Sequence, residues 1–430
     1  MLRTHYACDV KPGMEGKTVF LAGWVHEVRD MGKVKFLILR DRTGLVQVTG
    51  KKGVTDDTVL GRMSLVKESV VRVTGIVREE KQARGGVEIN PTEIVDLNPV
   101  EVKIPFEVTG KVPADLDVRL NHRQIDLRRI ETSAIFKVKS QMLHSFRDRL
   151  CQLGFSEINP PCIVSAATEG GTELFPVEYF ERKAFLAQSP QLYKQLAVIG
   201  GMDKIFMTTP VFRAEKHNTT THLNELISLD IEMGFADHND AMDVLEDVIK
   251  HITSDALNNC QEELKLLGAK LEVPEKIERH SYTDVVELLN KNGDNMAWGA
   301  DFNREEESRA AELLGEEIFF ITEWPTKSRA FYSMPKEDAK VCNAFDLMYG
   351  GLEIASGAQR IHLPELLVEQ LTSRGLDPKE FDFYVNAFRM GAPPHAGWAI
   401  GAERLTMKLC NRENIRECAL FPRDRSRITP

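Results

Sequence analysis

Between Phe212 and Met233 two alternating stretches flank a polar interruption, and few folds accept that arrangement. Phe212-Arg213-Ala214-Glu215 enters a loop from Lys216 to Thr221, and His222-Leu223-Asn224-Glu225-Leu226-Ile227-Ser228-Leu229-Asp230-Ile231-Glu232-Met233 leaves it. Charged and apolar residues alternate on both arms, the period of two that marks a strand with one buried face. The stretch is therefore expected to form two strands joined by an exposed loop. An arginine on a rigid strand beside such a loop suits a triphosphate, because guanidinium forks its N–H donors onto phosphate or carboxylate oxygens. Taken alone, an Arg-x-Glu pair describes a surface ion pair equally well.

Two more segments narrow the choice. In Gly391-Ala392-Pro393-Pro394-His395-Ala396-Gly397-Trp398-Ala399-Ile400-Gly401-Ala402-Glu403-Arg404-Leu405 a glycine-spaced apolar strand runs into a helix beginning near Ala402, which puts Arg404 in the first helical turn. Glycines there admit a flat ring or a backbone that a Cβ would exclude. Gly154-Phe155-Ser156-Glu157-Ile158-Asn159-Pro160-Pro161 describes a helix end followed by a proline-stopped strand. In chain order the three segments resemble motifs 1, 2 and 3 of the class II aminoacyl-tRNA synthetases. The resemblance covers nearly the whole chain and is to the archaeal-type aspartyl-tRNA synthetases of the aspartyl/asparaginyl subgroup. It implies an α+β protein, an N-terminal five-stranded OB-fold barrel followed by a catalytic domain with an antiparallel sheet flanked by helices. The implied activity is an aspartate–tRNA ligase that uses ATP and Mg²⁺ and charges tRNA(Asp). Motif 1 builds a dimer interface in that family, which implies a homodimer.

Composition sets bounds on this. A chain of 430 residues has room for two or three domains. A net charge of −10 argues against broad, nonspecific binding to phosphate backbones. It leaves room for a local basic face, since charges are screened beyond about 8 Å at physiological salt. The seven cysteines are scattered without a Cys-x-x-Cys pair, as in a protein with reduced thiols. Met1 to Val10 carries no basic-then-apolar signal, and no apolar run approaches about 18 residues, so a cytoplasmic protein without a membrane segment is expected. Gly13-Met14-Glu15-Gly16-Lys17-Thr18 ends like a P-loop, but position 11 is lysine and the spacing of the phosphate cradle is missing. A turn before a strand is the better description. Asn218-Thr219-Thr220 matches a glycosylation acceptor and means nothing in a chain without a secretory signal.

The first hundred residues alternate as strands at about Thr18–Val28, Val34–Leu39, Leu45–Thr49, Val70–Val77 and Val87–Val95, with a helical piece from roughly Asp56 to Val66. Five strands with that interruption describe an OB-fold, a frequent binder of single-stranded nucleic acid. Phe36 is the candidate stacking platform, with Arg29 and Gln47 as hydrogen-bonding groups toward base edges, although Phe36 alternates like a core residue as well. Gly23-Trp24-Val25-His26-Glu27-Val28-Arg29-Asp30 and Phe36-Leu37-Ile38-Leu39-Arg40-Asp41 resemble the anticodon domain of the aspartyl and asparaginyl enzymes. The resemblance implies that Phe36 and Gln47 recognise the central anticodon base, with Glu88 on the same face. It also implies that His26 and Arg84 decide between C and U at the third base. His26 matches enzymes that also charge tRNA(Asn), Arg84 matches those that do not, and the sequence leaves the choice open.

The barrel is assigned to residues 1–104, a linker with Pro105 and Pro113 to 105–130, and the catalytic domain to 131–430, with a largely helical insert at about 236–320. Arg119-Leu120-Asn121-His122-Arg123-Gln124-Ile125-Asp126-Leu127-Arg128-Arg129 is expected to be a solvated, charged helix at the hinge, within reach of tRNA. A long amphipathic helix from about Thr132 to Leu153 should lead into motif 1.

The substrate residues follow from the resemblance. Gln188-Ser189-Pro190-Gln191-Leu192-Tyr193-Lys194-Gln195 and the segment Gly350 to His362 resemble the parts of the family that hold aspartate. They imply Ser189, Gln191, Lys194, Ser356 and Arg360 as contacts, with Lys194 and Arg360 facing the side-chain carboxylate. Two cations in one pocket favour a carboxylate over a neutral amide, which would bring NH₂ donors toward donors. Thr168-Glu169-Gly170-Gly171-Thr172-Glu173 resembles a loop that closes over substrate, with Glu169 accepting the α-ammonium and Asp230 as a second anion. For ATP the implied set is Arg213 on the α-phosphate, Glu215 on the adenine amino group, His222, Leu223, Glu353 and Arg404, with His217 as a further loop histidine. Arg213 and Arg404 are the implied catalytic pair. Asp346, Glu353 and Ser356 offer the hard oxygen ligands that Mg²⁺ prefers. Leu226 stands where relatives carry an aromatic residue, so the group stacking on adenine opposite Arg404 is open. Two rivals share these features: an asparaginyl-tRNA synthetase, and a non-catalytic nucleic-acid-binding paralogue.

Overall fold

The computed structural model describes residues 2–165, 174–216 and 218–430. The chain divides into two compact units, Met1–Ala114 and Asp115–Pro430.

In the first unit the alternating stretches form β1 (Thr18–Asp30), β2 (Val34–Asp41), β3 (Gly44–Lys51), β4 (Val70–Glu79) and β5 (Val87–Asn98). They close a barrel in the order β1-β2-β3-β5-β4. Every second side chain turns inward, including Val19, Leu21, Leu37, Leu39, Val46, Val48, Val71 and Val73, all nearly inaccessible. Helix α1 (Asp57–Arg62), capped by the Asp56 carboxylate, lies between β3 and β4 and covers the barrel with Val59 and Leu60. The Gly13–Thr18 stretch is a short 3-10 turn entering β1, as its broken spacing implies.

The second unit opens with α2 (Leu116–Asn121) and α3 (Arg123–Asp126), and here the expectation of a solvated hinge fails. Arg123 and Asp126 are fully buried and paired at 2.5 Å. The Arg123 guanidinium also donates to the carbonyls of Glu417, Ala419 and Leu420 at 2.9–3.0 Å. One planar group with five donors saturates several buried acceptors at once, so a segment that reads as basic surface is an anchor. Helix α4 (Ile130–Gln152) follows, burying Ile135, Val138, Met142, Phe146 and Leu150.

Next come β6 (Ser156–Glu157), β7 (Ile163–Val164), β8 (Pro176–Tyr179), β9 (Arg182–Leu186), α5 (Gln191–Ala197), β10 (Lys204–Phe212) and β11 (Glu225–Gly234). Then follow α6 (His238–Asn259), α7 (Gln261–Leu267), β12 (Glu278–Ser281), α8 (Tyr282–Lys291), α9 (Arg304–Leu314) and β13 (Ile318–Thr322). The last elements are β14 (Ala344–Tyr349), β15 (Glu353–Arg360), α10 (Pro364–Ser373), α11 (Asp382–Arg389), β16 (His395–Gly401), α12 (Ala402–Leu409) and α13 (Ile415–Cys418). Eight strands form one sheet in the order β12-β13-β14-β15-β16-β11-β10-β6, and β7, β9 and β8 form a small second one.

The sheet is mixed where an antiparallel one was expected. From β13 to β10 neighbours run antiparallel, but β12 pairs with β13, and β6 with β10, in parallel. Parallel neighbours need a crossover, and α8 with α9, and α5, supply helices within those connections. Residues 236–320 are largely helical, yet α6 packs on α4 in the main core and β12 and β13 extend the sheet. Among the described residues no helix is long and apolar enough to cross a membrane.

Candidate active site

The middle of the large sheet carries a cavity of about 310 Å³, within the range of small-ligand sites. Its floor is β11, β16 and β15 in register. Asp230 lies opposite Ala399, which lies opposite Ser356, which lies opposite Asp346 on β14. One step along, Glu232, Gly397 and Ala358 form the next row. The absence of a side chain at Gly397 opens the space that the Glu232 carboxylate fills, since a Cβ there would collide with it and with the Ile231 carbonyl.

At this end Lys194 and Arg360 converge. Lys194 Nζ lies 3.0 Å from Asp230 and 3.4 Å from Glu232 and is 1% exposed. Arg360 grips Glu232 through Nε and Nη2 at 2.9 and 3.2 Å. Both cations are thus already compensated, and Asp230 accepts from Lys194 through one oxygen and from the Ser228 hydroxyl through the other. Glu232 is the functional residue that the substrate set read from the sequence lacks, and it turns a bare positive site into a compensated one. The signal was present, because Glu232 stands two residues from Asp230 on the same strand face. Burial works against the Glu232 charge, but Arg360 and then Lys194 outweigh it and hold the carboxyl below the ordinary glutamate range. Behind it Gln195 joins the His395 ring, the Tyr384 hydroxyl and the Gln191 amide at 2.8 Å each. This buried network fixes the helix that carries Lys194. Ser189 and Gln191 line the cavity from the start of α5.

At the other end Arg213 and Glu215 line the cavity just beyond β10, not on the strand as read from the alternation. The Asn224 amide donates to the Arg213 carbonyl at 2.8 Å and braces the turn. Arg404 emerges in the first turn of α12, donating to the Glu353 carbonyl at 2.9 Å and lying 3.1 Å from His222. Leu223, almost fully buried, and Leu226 also border the cavity, so the position where relatives carry a ring is aliphatic here.

Glu353 and Ser356 line the cavity, with Asp346 buried behind them. Arg329, stacked 3.8 Å above the Trp324 ring, binds Asp346 Oδ2. The other oxygen, Oδ1, is buried, and the Ser356 hydroxyl beside the carboxylate lowers its pKa as a hydrogen-bonding neighbour. Burial is the largest cause raising the Asp346 pKa, Arg329 offsets part of it, and Glu353 adds to it. Glu307, on α9, is pushed up to about 7 by burial and then by Glu353. A buried carboxylate with Glu353 and the Ser356 hydroxyl nearby offers the hard oxygen donors that Mg²⁺ takes. Arg329 was missed because it lies in irregular chain with no motif. Glu169, with the Thr168–Glu173 loop, and His217 lie outside the described residues.

On the barrel, register brings four of the named residues onto one face, in two neighbouring rows. Arg29 pairs with Phe36, Phe36 with Thr49, and Gln47 with Glu88. Glu88 accepts from Thr49 at 2.6 Å and from Gln47 at 3.3 Å. Phe36 is only half-buried, so it is not a core residue of the barrel. His26 is apart from this face. A bulge between Val25 and Glu27 turns it inward, where it meets Arg40 at 2.8 Å, and Arg40 pairs with Glu68 at 2.6 Å. Arg84 is exposed on the β4–β5 turn.

Both units match known families. Residues 115–425 match the class II tRNA synthetases for D, K and N, and residues 19–97 match the OB-fold nucleic acid binding domain. The chain is 51% identical over 431 residues to the aspartate–tRNA(Asp/Asn) ligase of Archaeoglobus fulgidus, covering 99% of each chain. It is 50% identical to the protein of that name from Methanocaldococcus jannaschii, covering 100% of this chain and 98% of the relative. Among solved structures, asparaginyl-tRNA synthetase from Pyrococcus horikoshii with asparaginyl-adenylate superposes with a TM-score of 0.95 at 33% identity over the full length of both chains. A putative aspartyl-tRNA synthetase from Leishmania major gives 0.88 at 32%, covering 100% of this chain and 95% of that one. The chain belongs to the class II aminoacyl-tRNA synthetases, in the aspartate, lysine and asparagine group. It is accordingly an aminoacyl-tRNA ligase with an N-terminal OB-fold unit.

Proposed function

We propose that the cavity activates L-aspartate with ATP and that the aspartyl group passes to both tRNA(Asp) and tRNA(Asn). The observation that carries the amino-acid choice is the Lys194–Glu232–Arg360 cluster. Glu232 engages Arg360 through Nε and Nη2, which leaves Nη1 to meet an incoming carboxylate, while the Lys194 ammonium, shared among Asp230, Glu232 and the Trp398 carbonyl, adds its positive charge beside it. An asparagine amide would turn its own donors toward these donors, and buried unpaired donors cost about 1–3 kcal/mol each. The asparaginyl enzyme of similar backbone does not weigh against this, because the backbone is common to the group and the side chains choose.

Chemistry proceeds without a covalent enzyme intermediate. The aspartate α-carboxylate attacks the α-phosphorus, pyrophosphate leaves, and the terminal 3′-hydroxyl of the tRNA then attacks the mixed anhydride, releasing AMP. Arg213 bridges the α-phosphate and the reacting carboxylate, so the two meet in line and the developing charge is stabilised. Glu215 reads the adenine amino group, His222 and Leu223 border the nucleotide, and Arg404 and Leu226 enclose the base. Glu169 and Asp230 serve the α-ammonium, with Ser189, Gln191 and Ser356 around the amino acid. Asp346, Glu353 and Ser356 would hold Mg²⁺, which when bound neutralises phosphate charge. Two carboxylates suffice, since Mg²⁺ keeps several waters and takes phosphate oxygens.

The face carrying Arg29, Phe36, Gln47 and Glu88 serves the anticodon. Phe36→Ala is expected to cost about 1–3 kcal/mol of tRNA affinity through lost stacking, with tRNA-free activation unchanged. A filter-binding titration that shows wild-type affinity would remove Phe36 from the site. Relaxed tRNA choice is supported by His26 and by the dual names of the relatives. The inward His26 would act through Arg40 and Glu68, not by touching a base. Charging both purified tRNAs is the test: comparable plateaus support the proposal, and an uncharged tRNA(Asn) makes Arg84 the better guide.

The exposed, two-residue edge strand β6 and the Pro160-Pro161 segment after it are the proposed two-fold interface. Light scattering should give twice the 48.6 kDa chain mass, and a fully active monomer would contradict this. Seven free thiols fit a cytoplasmic location.

A further inference from the structure

The loop between β10 and β11 has two sides. Its inner side borders the cavity, with Thr221 and His222 against Arg404. Among the described residues, its outer side is bonded by residues 415–427 at Lys216, Asn218, Thr219, Thr220 and Asn224. Ile415 N donates to the Thr220 carbonyl at 2.8 Å, and Arg416 donates to the Thr219 carbonyl at 3.1 Å. Arg425 donates to the Lys216 carbonyl at 2.6 Å, and the Asn218 amide to the Ser426 hydroxyl at 3.3 Å. At the loop's exit, Asn224 N donates to the Arg423 carbonyl at 2.8 Å.

This terminal segment is itself rigidly folded. One oxygen of Asp424 takes Arg416 at 2.6 Å. The other accepts the Ser426 N–H, the Ser426 hydroxyl and the Arg427 N–H, each at 2.9 Å. The loop carbonyls therefore meet a preformed row of donors. Arg425 and Lys216 are exposed here together with Asn218, Thr219 and Thr220.

We infer that residues 415–427 are a strut that sets the loop at the mouth for the tRNA 3′ end, so that Arg425 is a positioning residue for transfer and not for activation. ATP and aspartate are held by side chains on the inner side and on the sheet. The 3′ end must enter from solvent past the outer crown, and its phosphates favour a fixed basic rim. The inference rests on the ligase activity of the family and not on which amino acid is used.

The test compares Arg425→Ala, Arg425→Lys and the full-length enzyme in two assays, with melting temperature measured alongside. Loss of a charged donor to a loop carbonyl should lower kcat/KM for tRNA in aminoacylation about tenfold. ATP–pyrophosphate exchange without tRNA should stay within about twofold at an unchanged ATP KM, and Arg425→Lys, which keeps a donor, should recover most of the loss. Unchanged aminoacylation in Arg425→Ala overturns the inference. So does a parallel fall of exchange, aminoacylation and melting temperature, which would make the segment a general support of the fold.

Discussion

Lys194→Leu is expected to raise the aspartate KM at least about thirtyfold, because truncating one member of a buried, hydrogen-bonded charge cluster costs about 2–5 kcal/mol. Lys194 sits between Asp230 and Glu232 with 1% of its surface exposed. Leucine fills similar space but leaves two carboxylates facing one guanidinium. The surplus negative charge then repels the substrate carboxylate that the pocket is built to receive. The ATP KM should stay within a few-fold, since Arg213, Glu215 and Arg404 line the other end of the cavity. Pyrophosphate exchange at varied aspartate and varied ATP separates the two. An unchanged aspartate KM would exclude Lys194 from substrate recognition.

Gly397→Ala should damage the same pocket from beneath. The new methyl would lie inside van der Waals contact with the Ile231 carbonyl and the Glu232 carboxylate, and neither can retreat within a paired central strand. Overpacking of this kind costs about 1–3 kcal/mol. Because Glu232 holds both Lys194 and Arg360, its displacement should also raise the aspartate KM, by about tenfold on the same energy scale. A lower melting temperature together with that KM change is the expected pair of results. A variant that melts and binds aspartate like the parent would mean that Glu232 does not organise the cations. Combined with Lys194→Leu, the effect should fall short of additive, since both changes act through Glu232.

The sequence was most legible where chemistry and period coincide. Strand alternation located all five barrel strands within a few residues, and the glycine-spaced strand before Arg404 ends at Gly401, where the helix begins. Composition misled at Arg119–Arg129. Charge suggests solvent, and nothing local reports that the carbonyls of Glu417, Ala419 and Leu420 wait for Arg123 across almost three hundred residues of chain. Arg329 was illegible for a similar reason, since its partners Trp324 and Asp346 are brought to it by the fold. Glu232 differs from both. Its place two residues after Asp230, on the same face of the strand, makes it readable from the alternation alone.

The central claim is that this pocket selects a carboxylate. Pyrophosphate exchange with the wild-type enzyme, ATP and either aspartate or asparagine tests it most directly. The account predicts robust exchange with aspartate and a kcat/KM for asparagine lower by about a hundredfold or more, the weight of one or two buried unpaired donors. Exchange that is equal for the two amino acids, or faster with asparagine, would contradict it.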